Sequence, residues 1–280
     1  MHGMGTQIVF LGTGTPNPDP DRYGPAVAMI AGDRPYLVDC GVGVVRRATL
    51  AQRQGVEALA VERLDRVLLT HLHSDHTLGL PDLMLTPAVT GRTSAIEIWG
   101  PAGTDRMVTA LRDAWSEDRD VRLQGGEPSL PDAYETTVHE IGEGSVLTEG
   151  ELRVTAFRVI HGAWRHAFGF RFETPDRVIV HSGDTTYCEN LIAHAAGADV
   201  LIHEAYSAKG LAARAPEWRA YHSTYHTSAV DVGRVAAVVQ PKLLILNHVL
   251  PFGQPVEQLL ADVAEHFSGP TVVANDLDVF

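Results

Sequence analysis

Cysteine is nearly absent. Cys40 and Cys188 are the only two in a chain of 280 residues, too few for a disulfide framework, and they read as two buried thiols in a reducing compartment. There is no run of about 18 apolar residues, and the opening stretch MHGMGTQIVFLGTGTP lacks a basic segment followed by a long apolar one. The sequence therefore predicts no membrane span, no secretory leader and a cytoplasmic location. Basic charge is also scarce: 22 Lys and Arg stand against 35 Asp and Glu, a balance of −13 that repels phosphate backbones and anionic lipid surfaces. No repeat and no low-complexity tract occurs, which sets aside solenoids and long linkers.

The rest of the composition, 45% hydrophobic and 20% charged with 26 Gly and 16 Pro, is that of an ordinary globular protein. The unusual figure is 14 His, several of them clustered. Apolar runs predict strands at 7–11, 67–70, 96–99, 152–160, 168–172, 178–181, 200–203 and 243–246, with a hairpin of 27–30 and 36–38 around Gly32-Asp33. Helical patterns fall at 44–54, 105–115, 227–239 and 256–267. Strands lead each half and helices lie between and after them. This predicts an α/β protein of four αββα layers, two sheets face to face with helices outside. The chain 1–280 reads as one domain, with the polar, acidic stretch 116–150 as a surface insertion.

The chemistry begins where the strand 67–70 runs into His71-Leu-His73-Ser-Asp75-His76. Residues two apart at a strand end point the same way, so His71 and His73 can share one metal, and the turn that follows lets Asp75 and His76 face a second. A solvated loop gains nothing from this spacing, whereas imidazole is the commonest metal ligand. Gly12-Thr-Gly14 does not announce a dinucleotide site, because Asn17 stands where a third glycine would be needed.

The pattern His-x-His-x-Asp-His resembles the signature of the metallo-β-lactamase superfamily. The resemblance implies a third His from a later strand end, matched by His161; a metal-bridging Asp from a Ser-Gly-Asp-Thr turn, matched by Asp184; and a last His after an apolar strand, matched by His248. It thus implies one site of His71, His73, His161 and Asp184, and another of Asp75, His76, His248 and the shared Asp184. A narrower likeness is to the ribonuclease Z branch and its arylsulfatase-like relatives, carried by Phe10-Leu-Gly12-Thr-Gly14-Thr-Pro16, Leu37-Val-Asp39-Cys-Gly41, His203-Glu204-Ala205 and His226-Thr227-Ser228. By that likeness His226 is the acid at the leaving group and Glu204 holds its ring, so that Asp75, His226 and Glu204 form the candidate catalytic set; His222 competes with His226 for the role. Asp39 supports the ligands of the first motif or caps the chain there.

The mixed His and carboxylate donors favour two zinc ions per chain, with iron or manganese as alternatives. Two such ions about 3.5–4 Å apart imply hydrolysis by attack of a metal-bound hydroxide. The substrate expected from the sequence is a small ester of aryl sulfate, phosphodiester or lactone type, with no nucleic acid and no membrane as partner. The alternatives are a tRNA 3′-processing endoribonuclease of the ribonuclease Z kind and a non-catalytic metal-binding module. The small ester is preferred on two grounds: ribonucleases Z usually carry a tRNA-clamping arm between the third His and the bridging Asp, and here only the short stretch 161–184 is available; and a −13 chain lacks the usual footprint for folded RNA. Trp164, Arg165, Tyr187 and Phe252 adjoin ligands and are candidates to shape a pocket. Relatives of this branch are often dimers, so the likeness also implies a homodimer.

Overall fold

The protein is described here by a computed structural model covering residues 5–280, so the first residues of the opening stretch lie outside the described part. The chain divides into two compact units, 5–141 with 275–280, and 142–274.

In the first unit, strands β1 (Gln7–Gly12), β2 (Ala26–Ala31), β3 (Arg34–Val38), β4 (Arg66–Leu68), β5 (Ile96–Gly100) and β6 (Thr136–Glu140) form one sheet in that order. The pairs β1–β2 and β2–β3 are antiparallel and the others parallel. Helices α1 (Val44–Arg53), α2 (Ser74–Thr77), α3 (Leu80–Thr90), α4 (Thr104–Ala114) and α5 (Ser116–Gln124) make the crossovers. Val9, Leu11, Ile30, Leu37, Val67 and Ile98 pack with Val45 and Ala48 of α1 and Leu80 and Leu83 of α3. Ile8, Phe10, Met29 and Tyr36, pointing the other way, are just as buried, as expected of strands that read as continuous apolar runs. The C-terminal residues close this unit: Ile8 and Phe280 exchange backbone hydrogen bonds of 2.9 Å, and the loop after β1 is latched by Thr13, whose N–H and hydroxyl both donate to Asp276.

Helix α3 contains Pro87, which has no N–H to give to the carbonyl of Leu83. Arg92, buried, supplies the missing donor: its guanidinium reaches the carbonyls of Leu83 at 3.0 Å, Met84 at 2.7 Å and Ala133 at 2.7 Å.

The second unit holds β7 (Gly144–Glu149), β8 (Leu152–Arg158), β9 (Phe168–Glu173), β10 (Val178–His181), β11 (Val200–Tyr206), β12 (Leu243–Leu250) and β13 (Thr271–Val273), ordered β13-β12-β11-β10-β9-β8-β7. From β7 to β10 the pairing is antiparallel, and from β10 to β13 parallel. Its helices are α6 (Glu189–Ala195), α7 (Ala208–Ala212), α8 (Pro216–Tyr225), α9 (Ala229–Val239) and α10 (Val256–Ala264). Leu201, Leu244 and Leu246 pack with Val232, Val235 and Ala236 of α9 and Leu259 and Val263 of α10. The two helices touch at Gly233, where a Cβ would stand 2.5 Å from the Val263 carbonyl oxygen. Ser228 caps α9 by accepting from the Asp231 N–H at 3.1 Å.

Each unit is thus a helical layer on a mixed sheet. The stretch 116–150, expected as an insertion, carries α5 and the edge strands β6 and β7. Its edge positions leave one face of each strand in water, which is why it reads as polar.

Candidate metal centre

In the first unit the strand β4 ends at Leu68, the chain bends at Thr70, and after His73 it turns into α2. Asp39, at the end of β3, lies beside it. This residue has φ 62°, a left-handed conformation that Asp tolerates better than most, and its carboxylate is 2% exposed. It accepts hydrogen bonds from the Thr70 N–H (2.8 Å), the Thr70 hydroxyl (2.9 Å) and His76 Nδ1 (2.7 Å). The Thr70 oxygen in turn accepts from His71 Nδ1 at 3.0 Å. Both imidazoles thereby hold the tautomer whose Nε2 carries the lone pair. His71 Nε2 lies 2.8 Å from His73 Nδ1, and His76 Nε2 lies 3.5 Å from Asp75 Oδ2. The turn is tight enough that a Cβ on Gly79 would sit 2.2 Å from the Gly41 carbonyl oxygen, so only glycine fits behind α2.

In the second unit His161 follows β8, and its Nδ1 donates to the carbonyl of Tyr225 at 2.7 Å, again leaving Nε2 as the lone-pair nitrogen. That nitrogen is 4.0 Å from Asp184 Oδ2, and His248 Nε2 is 3.7 Å from the same oxygen. His248 occupies a bulge: Glu204 pairs with Asn247 and Ala205 with Val249, so His248 is the extra residue, with φ 49°. The bulge turns its ring out of the strand's alternation. Asp184, His226 and His248 each offer an atom within 4.8 Å of the others.

His226 leaves the end of α8 with Nδ1 3.2 Å from Glu204 Oε1, an oxygen that also accepts from the Thr185 and Thr227 N–H groups at 3.3 and 3.0 Å. Burial, with Asp184 nearby, pushes the Glu204 carboxyl well above the usual carboxylate range, and His248 with the two N–H donors opposes this. His222 touches no carboxylate oxygen among the described residues; its ring stacks on Trp218 and packs against Phe252 at 4.7 Å. Burial depresses its pKa to about 4, helped by the neighbouring His226 and Arg214. His181, three residues before Asp184, accepts from the Gly183 N–H, and His139 and His194 stack on Trp99 and Phe157.

Each unit therefore gathers its own share of the predicted residues: His71, His73, Asp75 and His76 in the first, and His161, Asp184, Glu204, His226 and His248 in the second. The donor chemistry suits divalent cations: the Nδ1 atoms of His71, His76 and His161 are tied to protein, carboxylates stand beside the imidazoles, and neither group includes a thiolate. The thiol of Cys40, next to Asp39, is pushed up by burial and stays protonated. Sequence reasoning missed Tyr225, which acts through a backbone carbonyl that any residue type could present. No helix among the described residues is long and apolar enough to cross a membrane.

A family profile described as Beta-lactamase superfamily domain matches residues 34–249. The chain is 36% identical over 282 residues to a protein named Ribonuclease Z from Mycobacterium bovis (strain BCG / Pasteur 1173P2), covering 97% of this chain and 96% of that one. Among solved structures it resembles the short form of human tRNase Z, ELAC1, with TM-score 0.69 and 25% identity over 98% of both chains. The metallo-β-lactamase fold protein YhfI from Bacillus subtilis matches in fold, with TM-score 0.72 and 20% identity, also over 98% of both. Together with the α/β sheets and the paired His and Asp groups, these matches show that the chain is a metal-dependent hydrolase of the metallo-β-lactamase superfamily, related to ribonuclease Z.

Proposed function

We propose that this chain is an endoribonuclease of the ribonuclease Z type that cleaves the 3′ end of tRNA precursors without a clamping arm. Nearly full-length similarity to proteins named Ribonuclease Z carries the reading. It departs from the small-ester substrate expected from charge, which weighs the average field rather than the surface near the site. Between His161 and Asp184 the chain spends its residues on β9 and β10, joined by a turn closed by the Thr174 N–H to the Arg177 carbonyl.

His71, His73, His161 and Asp184 would hold one divalent ion, and Asp75, His76, His248 and Asp184 the other, with zinc the metal that best suits the donors. Such a pair supplies an activated water and positive charge for the oxygens of the phosphodiester. The chain's own residues do the rest. Asp39 and Thr70 fix the His71 and His76 tautomers, and the Tyr225 carbonyl fixes that of His161. Glu204 accepts His226 Nδ1–H and would favour the imidazolium form of that ring, whose second proton, on Nε2, is the one available to the leaving oxygen.

The test is a panel assay of the purified chain with its metal content measured: precursor tRNA, nitrophenyl phosphodiesters, nitrophenyl sulfates and homoserine lactones. Cleavage of the precursor at its 3′ side is the expected result. Turnover of the small esters alone would return the reading to a small-ester hydrolase, and bound metal with no turnover of any substrate would return it to a binding module.

A further inference from the structure

Helix α8 buries none of its residues, whereas α9, next in the chain, buries six of its eleven. A helix with no core face has another reason for its aromatic content. Trp218, 54% exposed, stacks on His222 with ring centroids 5.8 Å apart and planes 26° apart. His222 stands 5.8 Å from His226 at 33°, and His226 lies 6.0 Å from His248 at 20°. Tyr221, 40% exposed, flanks Trp218 edge-on at 5.9 Å. Trp218, His222, His226 and His248 form an open flight of rings, each inclined 20–33° to the next, running from solvent to the Asp184 group, while Tyr221 stacks on Tyr225 beside it at 4.3 Å. The same segment gathers Lys209, Arg214 and Arg219 against a single acid, Glu217, within a chain of net charge −13. All three cations are exposed.

Interleaved aromatics and cations with no fixed hydrogen-bond pattern are how proteins hold unpaired nucleotides, the rings taking base faces and the cations the backbone. We infer that α8 is a stacking platform for the single-stranded 3′ segment of an RNA substrate, with Trp218 and Tyr221 receiving its bases and Arg219 its phosphates. This rests on the reading of the chain as an RNA-cleaving enzyme. It also gives the RNA a foothold where the sequence provides no clamping arm, and it reconciles an anionic substrate with an acidic chain, because the local field of the platform is positive.

The experiment measures binding of a labelled short oligoadenylate to the metal-loaded chain, together with kcat and KM on precursor tRNA. Trp218→Ala is expected to weaken oligoadenylate binding by about 5- to 100-fold, and Trp218→Phe to keep most of the affinity. In cleavage the loss falls in KM rather than kcat. Arg219→Gln is expected to lower the slope of log affinity against log salt by about 0.7. Trp115→Ala, an exposed indole in the other unit, serves as the control and leaves binding unchanged. Since Trp218 is mostly in water, its variants fold, which circular dichroism checks. Wild-type affinity in Trp218→Ala overturns the platform whether or not the precursor is cleaved. Weakened oligoadenylate binding in a chain that leaves precursor tRNA intact upholds the platform and removes only the proposed cleavage.

Discussion

At the scale of single residues, the site depends on groups that touch ligands rather than on ligands alone. Asp39 orients His76 directly and His71 through Thr70, from a left-handed backbone that Asn tolerates as well as Asp. Asp39→Asn therefore keeps the shape and loses the charge, and metal affinity should fall about 10- to 100-fold in a chelator competition. The proton-donor role of His226 has a different signature. His226→Ala should lower kcat on RNA, whose leaving alkoxide needs a proton, by roughly 10²–10⁴, and lower it far less on nitrophenyl phosphodiesters, whose phenolate leaves unaided. Equal losses on both would assign His226 to metal holding instead, a role its place beside Asp184 and His248 also allows. The candidate ligands stood out in the sequence because His71, His161, Asp184 and His248 each come at or just after the end of an apolar run. Tyr225 did not, since its carbonyl has no residue-type signature, and neither did the bulge that turns His248 inward.

Among the elements, what could be read followed burial. Strands buried on both faces, such as β1, β10 and β12, stand out as apolar runs, and α9 shows its period because one face lies in the core. Helix α8 has no buried face, so it has no period to detect. Helix α3 was hidden by Pro81 and Pro87, and its repair by Arg92 looks in sequence like an ordinary surface cation. That repair is testable. Arg92→Met leaves the carbonyls of Leu83, Met84 and Ala133 without their donor in a dry place, a loss of about 3 kcal/mol or more in urea unfolding. Pro87→Ala restores an N–H for the Leu83 carbonyl. The cost of Arg92→Met should then shrink by roughly 1 kcal/mol in the Pro87→Ala background, and a strictly additive double variant would show that the guanidinium does something other than replace the missing donor.

For the molecule as a whole, the acidic balance and the buried carboxylates raise the same question, namely what cation offsets them. Asp39 and Asp75 lie buried in one unit, Asp184 and Glu204 in the other, and each has a histidine nitrogen within 4.0 Å of its carboxylate. The carboxyl of Glu204 is displaced upward partly by Asp184, as expected when two acids share a buried space. A divalent ion bound by the native chain and not by the unfolded one adds stability of RT ln(1 + [metal]/Kd), about 2.7 kcal/mol for a site held at 100 times its Kd. Removing metal with a chelator should accordingly abolish hydrolysis and lower the unfolding midpoint by about 5–10 °C in a chain of this length. Restoring zinc should recover both. In Asp184→Asn the metal-dependent part of the midpoint shift should be smaller than in the wild type, because the carboxylate assigned to both ions is gone while the fold keeps its hydrogen-bonded framework. A midpoint indifferent to chelator, in a chain that elemental analysis had shown to be loaded and then stripped, would mean that the unfolded chain binds the ions about as tightly as the native one.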